Sequence, residues 1–565
     1  MKYSGAEIII KLLEKEGVDK VSGIPGGANL PLYNALSKSS KIQHILARHE
    51  QGSGFIAQGI ARTTGKAGVC FATSGPGVTN LLSAIADAKL DSIPMVAITG
   101  QVSSSFLGTD AFQEVDTCGL AIPITKHNFL VRSVEELLHI IPEAFKVAES
   151  GRPGPVVVDI PRDIQMAEIE IETWPTGKKE SRMMASKNIE VTKREDIEKI
   201  AHTINQAKRP VLYIGGGILQ AGAHELLYKL AKKNNIPVAS TLMGLGSFPS
   251  TDNLYLGMLG MHGAPHTNII LYETDLLIAL GVRFDDRATG NIAKFCPEAS
   301  IIHVDIDPAE LNKNKAANFS VAGDIRLVLE KLLPLIKSNP REKWIAEIIN
   351  IKKENPLHMS EKKGYYHPLN FIKEVAKIVS SDTIITTDVG QHQMWVAQAY
   401  PFEKPRKLLT SGGLGTMGFG LPAAIGAALA NPDKKVICIS GDGSLLMNIQ
   451  ELATLADLNL NVTVIILNNG CLGMVRQQQE FFFDKNYMAS QFISNPDFAA
   501  IANAFGVKGY DFTNVKEPID LLKGILSTST PSVINVPIDF RENVLPIVPP
   551  GAANYQMIGG KIVAE

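Results

Sequence analysis

Short apolar runs recur along the chain, each separated from the next by enough residues for a helix. Ile42–Leu46, Ala67–Thr73, Met95–Thr99 and Val156–Ile160 lie in the first third. Val211–Ile214, Ile236–Thr241, Leu276–Leu280 and Ile301–Ile306 lie in the middle, and Thr383–Thr387, Val436–Ile439 and Val462–Leu467 in the last third. Runs of this length without alternation read as strands buried on both faces, and helical patterns between them give βαβ units. The expected fold class is therefore α/β, with three doubly wound parallel-sheet domains. The predicted boundaries are 1–170, 190–345 and 365–545, followed by a tail over 546–565. A polar stretch over 171–190 and the charged stretch Lys352–Lys363 are expected to link the domains. A chain of 565 residues is expected to divide into about three or four domains.

Composition narrows the function classes. Net charge is −2 with 20% charged residues, which gives no electrostatic case for nucleic acid or an anionic membrane. Five cysteines (Cys70, Cys118, Cys296, Cys438, Cys471) are scattered without a CxxC pair, so neither a zinc site nor a disulfide framework is expected. A reducing cytoplasm fits that usage. Near the N-terminus, Ile8, Ile9, Leu12 and Leu13 recur at helical spacing among charges, which predicts a surface helix rather than a signal peptide. The longest apolar region, around Leu421–Ala430, is too short for a membrane span.

The chemistry concentrates between Gly441 and Asn469. Val436–Ile439 leads into Gly441-Asp442-Gly443-Ser444, a helical stretch follows, and Val462–Leu467 leads into Asn468-Asn469. This is strand, Gly loop, crossover helix, strand and polar loop. A right-handed crossover puts both loops at the carboxyl edge of adjacent parallel strands, where open α/β sheets bind ligands. The glycines let backbone approach a diphosphate, and Asp442 and Asn469 offer hard oxygen ligands of the kind Mg²⁺ takes beside phosphate oxygens. The alternative is a pair of turns that only cap helices.

Gly-Asp-Gly-Ser, a gap of 23 residues and Asn-Asn resembles the signature of thiamin-diphosphate enzymes. The resemblance implies that Asp442, Asn469 and the backbone carbonyl of Cys471 hold Mg²⁺ against the cofactor diphosphate, with Gly443 and Ser444 beside it. It implies that Glu50 hydrogen-bonds the aminopyrimidine ring, so that the ring's imino form removes the thiazolium C2 proton. Gln391 and His392 would approach the diphosphate, and Met417 would prop the cofactor in its bent form. Read alone, without the resemblance, Glu50 reads as a helix-start carboxylate, His392 as a structural histidine and Met417 as a core residue.

Further stretches resemble the catalytic subunits of one branch, the acetohydroxyacid (acetolactate) synthases. They are Gly23–Asn29, Arg48–Gln51, Ser74–Asn80, Ala88–Pro94 and Gly108-Thr109-Asp110-Ala111-Phe112-Gln113-Glu114. That likeness implies Phe112 and Gln113 near the reacting carbons, with the Gly27 backbone close to them. Core packing is the alternative for Phe112. Arg287 would meet the carboxylate of the second substrate, with a solvated charge cluster as the other reading of Arg283-Phe284-Asp285-Asp286-Arg287. Met474 and Gln478 would line the acceptor pocket. Gln478 stands where much of the family has Trp, which predicts a weak preference for 2-ketobutyrate over pyruvate. The middle domain would bind FAD through Arg152, His262, Arg283, Asp305 and Asp324.

The implied reaction is decarboxylation of pyruvate and ligation to a second 2-ketoacid, giving 2-acetolactate or 2-aceto-2-hydroxybutyrate on the way to valine, leucine and isoleucine. FAD would be non-redox. The implied assembly is a homodimer with active sites between subunits, a tetramer being the larger alternative, joined by a small regulatory subunit. A pyruvate oxidase with thiamin diphosphate and FAD is the rival enzyme. Gly413-Leu414-Gly415-Thr416-Met417-Gly418 fits G-x-G-x-x-G but follows only Leu408-Leu409, too short a run for a strand, so it is set aside as a nicotinamide-cofactor loop.

Overall fold

The computed structural model describes residues 1–175, 193–357 and 367–559. Its apolar runs form three six-stranded sheets in which every neighbouring pair of strands is parallel. The first runs Gln43–Leu46, Lys20–Gly23, Gly68–Ala72, Met95–Gln101, Pro155–Pro161, His127–Leu130. The second runs Tyr255–Met258, Val238–Ser240, Pro210–Ile214, Leu276–Leu280, Ser300–Asp305, Phe319–Ala322. The third runs Leu408–Leu409, Ile384–Thr387, Val436–Gly441, Val462–Asn468, Ser532–Pro537, Lys508–Asp511. The central strands are buried on both faces, which is why they read as unbroken apolar runs.

The N-terminal helix Gly5–Lys15 is started by a capping box between Ser4 and Glu7, and its Ile8, Ile9, Leu12 and Leu13 are buried. An antiparallel pair, Lys2–Ser4 with Glu168–Glu170, closes the first unit on itself.

Helix Glu50–Thr64 of the first unit packs on helix Gly420–Ala430 of the third. Their backbones meet where neither has a side chain. A Cβ on Gly59 would collide with the Ala423 carbonyl, and one on Gly426 with the Ile56 carbonyl. Phe55, Ile56, Ile425 and Ile466 consequently share one core, and the first and third sheets are bound together through it.

Two sequence expectations change. Leu408–Leu409 does form a strand, two residues long, on the edge of the third sheet beside Ile385 and Thr386. Lys352 and Lys353 end the helix Glu342–Glu354 rather than starting a link. Most of the first predicted link, 176–190, and half of the second, 358–363, lie outside the described residues.

Candidate active site

The two loops singled out by the sequence do adjoin. Val436–Gly441 and Val462–Asn468 pair in parallel, with Gly441 opposite Leu467. Asp442 opens the short helix Asp442–Leu445 and is almost fully buried. Its Oδ2 accepts from Gly470 N at 2.9 Å and from Asn495 Nδ2 at 2.7 Å. Burial pushes the carboxyl above its ordinary pKa, against the pull of those donors. Asn469 donates to Gln391 Oε1 at 3.0 Å and accepts from Cys471 N at 3.3 Å. Gln391 in turn donates to Gln477 Oε1 at 2.8 Å and to the Glu542 carbonyl at 3.0 Å. Ser444 Oγ accepts from Gly441 N at 3.1 Å and so folds the Gly loop.

His392 is buried beside this loop, and a Cβ on Gly441 would press on its ring. Burial lowers its pKa to about 3, so the imidazole is neutral. Its Nε2 has no hydrogen-bond partner among the described residues. An orphaned ring nitrogen beside a Gly loop, a buried carboxylate and an amide could hold a diphosphate–Mg²⁺ pair: Nε2, in the tautomer that carries its proton there, could donate to a phosphate oxygen, while Asp442 and Asn469 could offer oxygens to the metal.

A second group gathers at the first sheet. Glu50 begins helix Glu50–Thr64, and its Oε2 accepts from Asn80 Nδ2 at 3.1 Å. The backbone just before it is held from the third unit: Arg48 N and His49 N donate to Glu451 Oε1 at 2.9 and 3.1 Å. Asn448 Nδ2 reaches Gln51 Oε1 at 3.0 Å. The loop Gly108–Glu114 folds against Gly75, where Gln113 leaves no room for a Cβ. Gln113 (φ +61°) and Asp110 (φ +55°) are left-handed, and the Glu114 carboxylate fixes the turn by accepting from the backbone N–H groups of Gly108, Thr109 and Ala111. Phe112 is held out at 87% exposure, which overturns core packing as its role. Gly27 is also exposed. In this single chain Glu50 and Asp442 belong to separate hydrogen-bonded sets.

A cavity of about 370 Å³ lies between the first and second sheets, lined by Arg152, Gly216, Gly217, Arg283, Asp305 and Asp324 among others. Its size is in the range of cofactor sites. Arg152 donates to Glu310 Oε1 at 2.6 Å, to Asp307 Oδ2 at 3.1 Å and to Ser92 Oγ at 2.8 Å. Burial raises Asp305 to about 6. Glycines at the wall and a carboxylate at the end of strand Ser300–Asp305 suit a dinucleotide such as FAD. His262 lies elsewhere. It is buried with Nδ1 at 3.1 Å from the Pro546 carbonyl, on a separate cavity of about 260 Å³ shared with Tyr255 and Gln398.

Arg283 donates to the Leu90 carbonyl at 2.8 Å, while Arg287 is mostly exposed beside Asp286 at 3.7 Å. On helix Gly473–Phe482, Gln477 is buried and exchanges hydrogen bonds with Val544, whereas Gln478 faces outward and Met474 is half-buried. Met417 is half-buried too. It sits in the G-x-G-x-x-G stretch, whose Gly418 N–H donates to Asp388, as does that of Gly420 beyond it.

Sequence reasoning missed Asn495 and Glu451. Ser494-Asn495-Pro496 signals only a turn before helix Phe498–Ala504, and Glu451 stands in no motif.

Comparison with known proteins agrees with this geometry. Three models of thiamine pyrophosphate enzymes match: the N-terminal TPP binding domain over residues 3–120, the central domain over 197–332 and the C-terminal TPP binding domain over 388–536. The chain is 53% identical to the acetolactate synthase isozyme 1 large subunit of Escherichia coli, over 99% of this chain and 98% of that one. It is 46% identical to the isozyme 2 large subunit of the same organism, over 98% and 99%. The chloroplastic acetolactate synthase of Arabidopsis thaliana is 45% identical, over 98% of this chain and 84% of that protein. The chain belongs to the thiamine pyrophosphate enzymes and, within them, to the acetolactate synthase large subunits.

Proposed function

We propose that the chain decarboxylates pyruvate and joins the remaining two carbons to a second 2-ketoacid. Pyruvate as acceptor gives 2-acetolactate and 2-ketobutyrate gives 2-aceto-2-hydroxybutyrate, the first common step of valine, leucine and isoleucine biosynthesis. One CO₂ leaves and no electrons are gained or lost overall, so FAD serves as a structural group. When bound, thiamin diphosphate supplies the carbon nucleophile that this chemistry needs.

The roles of the chain's own residues are those the family resemblance implies, and the surroundings of His392, Asp442, Asn469 and Glu50 support them. Asp442, Asn469 and the Cys471 carbonyl hold Mg²⁺. His392, Gln391, Gly443 and Ser444 face the diphosphate. Glu50 would hydrogen-bond the aminopyrimidine ring, its helix start fixed by Glu451. Phe112, Gln113 and the Gly27 backbone border the reacting carbons. Arg287 binds the acceptor carboxylate, and Met474 and Gln478 border its alkyl group. Arg152, Arg283, Asp305 and Asp324 would hold FAD, whereas His262, given the same role by the family resemblance, borders a separate cavity and bonds the Pro546 carbonyl.

Glu50 and Asp442 must meet one cofactor from separate sets. This supports a homodimer in which one protomer supplies Glu50 and its partner the metal edge. The relatives' names as large subunits support a small regulatory partner. Functional units over 1–170, 190–345 and 365–545, a tail over 546–565 and a cytoplasmic site of action complete the reading.

The observation that carries it is the neutral His392 imidazole, its Nε2 unpaired, beside Asp442 and Asn469. The test is pyruvate alone with thiamin diphosphate, Mg²⁺ and FAD, following flavin absorbance and products together. Acetolactate with the flavin oxidised throughout is expected. Reduced flavin with acetate or acetyl phosphate would mean an oxidase instead.

A further inference from the structure

Arg62, Asp87 and Asp91 form a buried cluster that the reaction as described does not use. Arg62 lies on helix Glu50–Thr64, and its Nη2 donates to Asp87 Oδ1 at 3.0 Å and to Asp91 Oδ2 at 2.8 Å. Both aspartates lie in the last two turns of helix Pro76–Asp91. Carboxylates there oppose the helix dipole, so neither is placed to stabilise its own helix. One guanidinium faces two carboxylates, which leaves a surplus negative charge in a buried place. Burial and the charge of Asp91 push Asp87 up to about 6.

That surplus is met from the third unit. Gly412 N and Gly413 N donate to Asp91 at 3.0 and 2.7 Å. Ser411 Oγ donates to Asp87 Oδ2, and Thr416 Oγ1 does so at 3.1 Å. Arg62 Nη1 binds the Thr410 carbonyl at 3.0 Å, and the guanidinium lies 4.9 Å from the Phe419 ring centre. On the far side of Met417, Asp388 Oδ1 and Oδ2 accept from Gly418 N and Gly420 N at 2.8 and 3.1 Å. Met417 thus sits between two anchored flanks, one from the first unit and one from the third. A buried ion cluster of this kind adds little net stability compared with apolar packing of the same volume. Its distinctive output is geometry.

We infer that Asp87 and Asp91, held by Arg62, are positioning residues that set the strap Thr410–Thr416 and through it the Met417 side chain at the cofactor. This rests on the reading that Met417 touches thiamin diphosphate. Asp91 also borders the cavity given to FAD, for which the flavin spectrum is the control; toward thiamin diphosphate the three residues act through the strap.

The test compares Asp91→Asn and Thr416→Val with the parent as holoenzyme. Thr416→Val removes one hydroxyl donor from a half-buried site, and keeps the question decidable should Asp91→Asn fail to fold. Three quantities are read: kcat per bound thiamin diphosphate against KM for pyruvate, the affinity for the cofactor by fluorescence titration, and deuterium exchange at the cofactor C2 by NMR. A fall in kcat of about tenfold for Asp91→Asn and about threefold for Thr416→Val is expected, with KM and cofactor affinity within twofold, slower C2 exchange and, as the control on FAD, an unchanged flavin spectrum. Parental kcat and exchange rate in folded variants would overturn the inference. So would a loss confined to thermal midpoint or to the fraction of sites occupied, since that is what a merely structural cluster gives. Met417→Ala separates this result from the underlying reading. Full activity there removes the role of Met417 itself, whereas a crippled Met417→Ala beside an unaffected Asp91→Asn and Thr416→Val removes only the positioning role.

Discussion

Asn495 places its amide nitrogen 2.7 Å from Asp442 Oδ2 and 2.8 Å from Asn468 Oδ1, so one side chain spans both loops of the metal edge. Its own amide oxygen is buried and unpartnered among the described residues. A hydrogen bond to a buried carboxylate contributes about 1.5–3 kcal/mol, and it favours the ionised form that a metal needs. Asn495→Leu removes it, and the Asp442 carboxyl then rises further above its ordinary pKa. The half-saturating Mg²⁺ concentration is expected to increase about tenfold, matching the lower end of that range, with the acid limb of activity moved to higher pH. A Mg²⁺ titration superimposable on the parent's would remove Asn495 from the site.

The Gly108–Glu114 turn yields a different expectation. The Glu114 side chain is half-buried, and its carboxylate gathers three backbone N–H groups and so fixes the left-handed residues Asp110 and Gln113. Those hydrogen bonds hold its pKa below the usual carboxylate range. Glu114→Ala leaves the core untouched, so the thermal midpoint is expected to stay at the parent's value. Phe112 and Gln113 lose their placement, and small misplacements at a reacting centre cost about 10²-fold. A fall of about ten- to a hundredfold in kcat/KM for pyruvate is therefore expected. Steady-state kinetics with unchanged kcat/KM would show that the turn does not serve the reaction.

These residues also mark where sequence reading works and where it stops. Asp442 and Asn469 were legible because one βαβ unit, read locally, already puts both loops at one sheet edge. Glu451 was not, because its bonds to Arg48 and His49 join positions about 400 residues apart, and no spacing rule crosses that distance. The Arg62 cluster was missed for the same reason. His127–Leu130 and Lys508–Asp511 are sheet edges, where half-exposed polar residues interrupt the apolar run that signals a buried strand, and Lys20–Gly23 was missed because its buried Ser22 and Gly23 are not apolar. Among Gln477, Gln478 and Gln479 the sequence cannot tell faces apart; the hydrogen bonds of Gln477 to Val544 do.

The crossing of helices Glu50–Thr64 and Gly420–Ala430 predicts a contrast between two glycines. Gly426 meets the Ile56 carbonyl where any Cβ collides, whereas Gly524, in helix Pro518–Leu526, has open space there. Gly426→Ala is expected to destabilise by about 1–3 kcal/mol through overpacking at a backbone contact. Gly524→Ala is expected to be neutral or to stabilise by up to about 1 kcal/mol, because alanine lowers the entropy of the unfolded chain and favours helix. Denaturant melts of both variants read the difference directly. Equal midpoints would mean that the crossing can relax, and that the two units are less rigidly joined than the contact implies.

The buried histidines govern the last expectation. Burial lowers His392 to about 3 and His262 to about 4, whereas an unfolded histidine titrates near 6.5. Above pH 6.5 both rings are neutral folded and unfolded, and their contribution to stability is complete. Below it the unfolded chain takes up protons that the folded state refuses. Between pH 7 and 5 each ring is thus expected to remove about 2 kcal/mol from the free energy of unfolding. Asp87, Asp159 and Asp388, each raised to about 6, act in the opposite sense. Their penalty is full above pH 6 and fades as they protonate on the way down to the unfolded value, so the net pH slope alone decides nothing. The comparison that isolates one ring is His392→Asn against the parent in urea melts at pH 7 and 5. The substitution changes packing equally at both pH values, but only the parent has an extra proton to refuse at pH 5. A decline about 2 kcal/mol shallower in the variant is expected; parallel declines would mean that His392 takes up its proton as readily folded as unfolded, and that its ring is not held neutral by burial at the diphosphate loop.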